Sequence, residues 1–293
     1  MATMIATIKV KRILFATDFL GNSRLALDYA VAFAHHFSAT LLMLHAIELS
    51  SPAREAEAET SRASLTRRAA QQRLDDLAAG VRRTNLNVET YIEDGIASEV
   101  ILRACSRHGA DLLVLGIHGI HRGLGHLIIG SNAEKILLSS TCPTLTVGAH
   151  VLGGVDLIPR IEEILYFSDF TPEAASAAPY ALFLGKEFHV PVDICQLEPE
   201  ILGNNLQLRA DLAEEYCKTM RNVLGDTHNQ WNHPSFQLEH GMEIDQIIDR
   251  AQSQHAGLIV LGVRHPSHLG LHLRTSFAYQ LLAKATCPVL SVR

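Results

Sequence analysis

Apolar and polar positions along the chain alternate between two rhythms. Short runs such as "ILFAT" (Ile13 to Thr17) and "LLVLG" (Leu112 to Gly116) place hydrophobic residues consecutively, as strands buried on both faces do. Between them lie longer segments with apolar residues at helical spacing, including Leu25, Leu27, Ala30, Val31 and Ala34. The pattern predicts a strand at 13–17, a helix, a second strand "TLLMLHAIE" and a helix "LTRRAAQQRLDDLAAGV". A third strand "NVETYIEDG", a helix, a fourth strand "DLLVLG", a glycine-bearing stretch, a helix and a last strand complete the series. The polar segment "LSSPAREAEAETSRAS" reads as a solvent-exposed loop ahead of the second helix. Strands alternating with helices imply parallel β-α-β units with helices on both faces.

The series occurs twice. "RILFATDFLGNSRLALDYAVAFA" is echoed by "EILYFSDFTPEAASAAPYALFLG", and Asp18 matches Asp169 at an offset of 151 residues. "ADLLVLGIHG" is echoed by "AGLIVLGVRH", and "TCPTLTVG" by "TCPVLSVR", with Cys142 matching Cys287 at an offset of 145. The expected architecture is two tandem, doubly wound α/β domains, each an open parallel five-stranded sheet with helices on both faces. The first spans residues 1–150 and the second 151–293, with the seam in the Gly-rich "GAHVLGGVDLIPR".

Composition narrows the function classes. The 293 residues are 47% hydrophobic and 19% charged, enough apolar material for two cores. A net charge of −6 with interspersed signs argues against a nucleic-acid surface, though not against a small anionic ligand. The five cysteines are odd in number and form no CxxC pair, which suits a reducing compartment. The start of the chain is not patterned as a signal peptide, and no apolar run approaches the roughly 20 residues of a membrane span. The expectation is a cytoplasmic protein.

In doubly wound folds ligands sit beyond the carboxyl ends of the strands. Two strand ends in the first half carry small or polar residues: Ala16-Thr17-Asp18 and the run from Gly116 to Asn132, "GIHGIHRGLGHLIIGSN". Glycines let backbone N–H groups approach a ligand, and Ser131 with Glu134 forms an S-x-x-E capping box at a helix start. The unpaired N–H groups of such a first turn suit phosphate oxygens. Plain turn chemistry accounts for the same residues, and spacing alone does not choose between the two.

The blocks "ILFATDF", "LLMLHAIE" and "LLVLGIHG…GLGHLIIGSNAEKILLSSTCPTLTV" resemble the universal stress protein family in its tandem form. The resemblance implies a fold of the adenine nucleotide alpha hydrolase type. It also implies ATP, ADP or AMP in the first domain, with Mg²⁺ as a companion ion. By position, Ala16, Thr17 and Asp18 would face adenine and ribose, and the backbone of Ala46 the adenine edge. Gly116, His118 and Gly119 would line the ribose and inner phosphates, and Gly130, Ser131 and Asn132 the outer phosphates. Relatives also pair through their last strands, which implies an internal pseudo-dimer of the two halves and leaves room for a homodimer.

Two departures bear on binding. Ten residues separate Gly119 from Gly130, where the family pattern has nine, and the extra one is expected to bulge the loop at "IHR". In the second half, "GVRHPSHLGLHLRTS" puts His265 and Thr275 at glycine positions and adds Pro266, so that cradle is expected to be lost. Rival readings are a nucleotide-independent scaffold and a slow ATPase. No GxSxG, HExxH or Walker sequence is present, and no general base can be assigned. The histidine clusters 118/121/126 and 265/268/272 read as loop residues and not as metal ligands.

Overall fold

A computed structural model describes residues 8–48, 56–117, 119–122, 126–151, 161–168, 172–197, 207, 210, 211, 214, 218, 235–239, 244–263 and 277–293. The chain forms two compact units, one built on Val10–Ala149 and the other on Arg160–Arg293.

In the first unit the elements run β1 (Arg12–Ala16), α1 (Gly21–Phe37), β2 (Thr40–Ile47), α2 (Ala56–Arg82), β3 (Val88–Asp94) and α3 (Ala97–His108). Then come β4 (Leu112–Gly116), β5 (Gly119–Arg122), β6 (His126–Ile129), α4 (Ser131–Ser139) and β7 (Thr144–Val147). The parallel strands take the order β3-β2-β1-β4-β7. The chain therefore winds outward from β1 to β3, then returns to β4 on the other side of β1. That reversal opens a crevice between the carboxyl ends of β1 and β4.

Consecutive buried residues in β1 serve opposite faces of the sheet, as the period of two requires. Leu14 and Ala16 pack with Val100, Ile101 and Ala104 of α3 and Ile136 of α4. Phe15 and Thr17 face the side covered by α1 and α2. This is why the strand reads as a continuous apolar run and not as an alternating one.

The second unit repeats the plan with β8 (Ile164–Ser168), α5 (Pro172–Phe188), β9 (Val192–Leu197), β10 (Ser235–Glu239) and α6 (Ile244–Ser253). It closes with β11 (Leu258–Gly262), α7 (Phe277–Lys284) and β12 (Val289–Val292), in the parallel order β10-β9-β8-β11-β12. The seam expected at 148–160 falls mostly outside the described residues.

One expectation fails. The acidic part of the segment read as a loop belongs to α2, which begins at Ala56. Its alanines and glutamates are strong helix formers, and a helix exposed along most of its surface needs few apolar residues.

The second unit contains a buried ion pair. Asp193, with a side chain 1% exposed, accepts a 2.6 Å hydrogen bond from Nη2 of Arg250. Gln254 Nε2 donates to the same oxygen at 3.4 Å. Burial first, and then the charge of Asp193, hold the Glu163 carboxyl above its ordinary range, while Arg250 acts in the opposite sense.

Removing the guanidinium strands a buried carboxylate, so Arg250→Met is expected to cost about 3–5 kcal/mol in urea unfolding. An unchanged midpoint would contradict the pairing. Glu163 binds its proton more readily in the folded chain, so its contribution to stability is present at low pH and fades as pH rises through the raised pKa. Glu163→Gln should therefore stabilise the protein at pH 7 and make no difference below about pH 4; equal gains at both pH values would refute this.

Candidate functional site

The site is assembled from three adjacent strand ends. Ala16 sits beside Leu44 on one side and Leu115 on the other, so the residues after β1 lie between the ends of β2 and β4. Thr17 is buried; its N–H donates to the Leu44 carbonyl at 2.9 Å, and its own carbonyl lies 2.8 Å from His45 Nδ1. Ala46 is partly buried against the α3 side of the core.

Asp18 is exposed and turned toward α1. Its Oδ1 accepts the Leu20 N–H at 2.9 Å and the Ser23 hydroxyl at 2.5 Å. Phe19 N–H bonds Thr17 Oγ1 at 2.9 Å, and Phe19 itself has φ 61, a left-handed conformation uncommon outside glycine. These bonds fold Thr17 to Leu20 into a tight lead-in to the helix. The residue expected to meet ribose is thus also the residue that fixes where α1 begins.

Gly116 has a packing reason to be glycine. A Cβ there would stand 2.7 Å from the carbonyl carbon and oxygen of Asn22 and 2.8 Å from the N of Ser23. Asn22 Nδ2 donates to the Ile117 carbonyl at 2.8 Å, so the first turn of α1 is stitched to the exit of β4. His118 lies outside the described residues.

The stretch after Gly119 is an antiparallel hairpin, which the sequence pattern did not announce. Gly119 pairs with Ile129, Ile120 with Ile128, His121 with Leu127 and Arg122 with His126. The expected bulge at "IHR" is corrected: residues 119–122 keep a regular register, and the ladder carries Gly119 back to the neighbour of Gly130. The hairpin tip, 123–125, lies outside the described residues.

A second correction concerns the capping box. Gly130 is the residue at the helix start, with φ −60 and ψ 147, and no side chain caps α4. Ser131 is instead the first helical residue and is exposed, so its hydroxyl is not placed to cap the turn it belongs to. The Gly130 carbonyl accepts the Glu134 N–H at 3.0 Å. An added Cβ at Gly130 would meet nothing within 4 Å. Open space in front of an uncapped helix N-terminus fits the phosphate groups of a nucleotide.

Sequence reasoning passed over Glu48. Its Oε1 accepts the N–H of Ala97, the first residue of α3, at 3.0 Å, and Nδ2 of Asn132 at 3.2 Å. One carboxylate thus ties the end of β2 to the starts of α3 and α4. A glutamate just past a strand carries no local signal for such a role.

The second-half counterparts Asp169, His265 and Thr275 lie outside the described residues. No group of three potential metal-ligating side chains occurs among the described residues. Among them too, no helix is long and apolar enough to cross a membrane.

The sequence profile of the universal stress protein family matches residues 9–148 and again 160–293. A universal stress protein of Thermus aquaticus is 34% identical over 143 residues, covering 47% of this chain and 98% of the relative. Another, from Methanocaldococcus jannaschii, is 24% identical over 159 residues, covering 48% of this chain and 96% of the relative. The crystal structure of a universal stress protein from Archaeoglobus fulgidus superposes with a TM-score of 0.74 at 18% identity, covering 96% of this chain and 98% of that one.

The two glycines should respond differently to the same change. Gly116→Ala forces a methyl into the α1 backbone and is expected to cost about 1–3 kcal/mol. Gly130→Ala, with ordinary φ and open space, should cost less, about 0.5–1 kcal/mol in thermal unfolding, because alanine is a poorer helix cap than glycine. Equal effects would overturn the assignment of Gly116 to packing.

Proposed function

The chain belongs to the universal stress protein family, and we propose that its first unit binds ATP or another adenine nucleotide in the crevice between β1 and β4. The observation that carries this reading is the open, uncapped start of α4 at Gly130, brought beside Gly119 by the hairpin. The phosphates would lie against the N–H groups of Ser131 and Asn132 and the hydroxyl of Ser131, with Mg²⁺ as counter-ion. Thr17, Asp18 and the backbone of Ala46 line the adjoining strand ends and would hold ribose and base.

Family membership carries a role in the stress response. The nucleotide reading makes the protein a cytoplasmic sensor or resistance factor. Turnover would be slow, since no general base can be assigned among the described residues of the crevice. The second unit would act as its partner in an internal pseudo-dimer, without a phosphate cradle of its own.

Calorimetric titration with Mg-ATP should give a sub-millimolar dissociation constant and one nucleotide per chain. Gly130→Asp places a carboxylate where phosphate would sit, and should weaken binding by about tenfold or more. Aspartate is also a favourable helix cap, so the same variant should be as stable as wild type or more so. Loss of affinity with intact folding would support the site. Unchanged affinity, or two equivalent nucleotides per chain, would refute it.

A further inference from the structure

A second concavity lies on the other side of the same sheet, between α1 and α2. It is a cleft of about 420 Å³, within the size range of small-molecule sites. Phe15, Leu27 and Leu77 form its apolar wall, and Arg24, Arg73 and Asp76 stand at its rim. Arg73, Asp76 and Leu77 share one face of α2, as Arg24 and Leu27 share one face of α1. The two sites share the end of β1: Thr17 lines this cleft, and the proposed nucleotide crevice opens toward the other surface, where Ala16 meets α3 and α4.

Charge in the cleft is weighted toward cations. Among the lining side chains two guanidinium groups stand with one carboxylate, while Asp28 is near enough to Arg24 for their charges to interact and Asp18 occupies the start of α1. Among the described residues neither Arg24 nor Arg73 is held in an ion pair. Arg73 instead stacks over the Phe19 ring, with Cζ 4.9 Å from the ring centroid. On its other flank Phe19 meets His45, at 4.3 Å between centroids. The left-handed backbone at Phe19 sets the ring in this stack, and the stack holds the guanidinium at the mouth of an apolar cleft.

Leu20 is 59% exposed beside that mouth, an apolar side chain with a ligand-sized space next to it. The second half does not carry the same set: at the offset of 151, Arg24, Leu27 and Leu20 become Ala175, Ala178 and Thr171.

From the pairing of an apolar wall with two exposed guanidinium groups at its rim, we infer that this cleft is a second ligand site, selective for a small carboxylate with an apolar body. The carboxylate binds Arg24 and Arg73, and the body lies along Leu27, Leu77 and the Phe15 side of the cleft. Because Thr17 to Ser23 form one of its walls, occupancy is sensed by the turn that leads into α1.

Octanoate is a suitable probe, with 1-octanol as its neutral counterpart. Octanoate should produce saturable amide shifts at Thr17, Gly21, Ser23 and Leu77 in heteronuclear NMR. The double variant Arg24→Gln/Arg73→Gln changes only exposed side chains, and should weaken octanoate by about tenfold or more while binding Mg-ATP as wild type does. Arg103→Gln, on α3, should leave octanoate unaffected. No saturable shift, equal affinity in the double variant, or octanol as tight as octanoate would each overturn the proposal. Failure of Mg-ATP to bind any variant would count against the nucleotide reading alone.

Discussion

The first turn of α1 rests directly on the backbone of Gly116, and the carboxyl edge of the first unit takes its geometry from that contact. An ordinary residue at 116 would push the helix off the sheet, because the atoms in the way are main-chain atoms that cannot rotate aside. Two further ties hold the same junction: Asn22 to the Ile117 carbonyl, and Asp18 to Leu20 and Ser23. The exits of β1 and β4 and the start of α1 are therefore set together. The crevice on one side of the sheet and the cleft on the other are both bounded by this junction, so neither can deform independently of it.

Much of this was legible in the sequence. Consecutive apolar residues identified the buried strands, since a parallel strand covered on both faces has no polar side to show. The repeat made the order of elements in one half a check on the other. What escaped was information held in pairing between residues distant along the chain. The β5–β6 hairpin depends on matching Gly119 with Ile129, and its eight described residues include two histidines and an arginine that carry no clean alternation. The start of α4 departs from the local motif that Ser131 and Glu134 satisfy. The backbone entered the helix one residue earlier, at a glycine whose missing side chain leaves the turn open. Glu48 was invisible for the same reason as the hairpin: its partners lie 49 and 84 residues away.

The two units show how a duplicated fold can keep its frame and diverge in its polar anchors. In the first, Asp111 Oδ2 accepts the N–H groups of Lys11 and Arg12, fixing the entry of β1. In the second, the corresponding residue is Gly257, and only the strand-to-strand bond remains, from its N–H to the Glu163 carbonyl. The anchoring charge has moved inward to the Asp193–Arg250 pair. Such pairs are not a general source of stability, but they penalise any packing that separates them. Each unit thus has its own side-chain reason to adopt the same strand order.

The hairpin has a consequence for how this protein can vary. In an irregular loop, each added residue shifts everything beyond it, and a ligand-holding glycine would drift with the count. In an antiparallel ladder, the arms are locked to one another and the difference in length is absorbed where the chain turns. Gly119 and Gly130 stay neighbours because the rungs between the arms hold them, whatever happens at 123–125. The paired arms accordingly act as a ruler, on which evolution or a protein engineer can exchange side chains while the two glycines keep their separation.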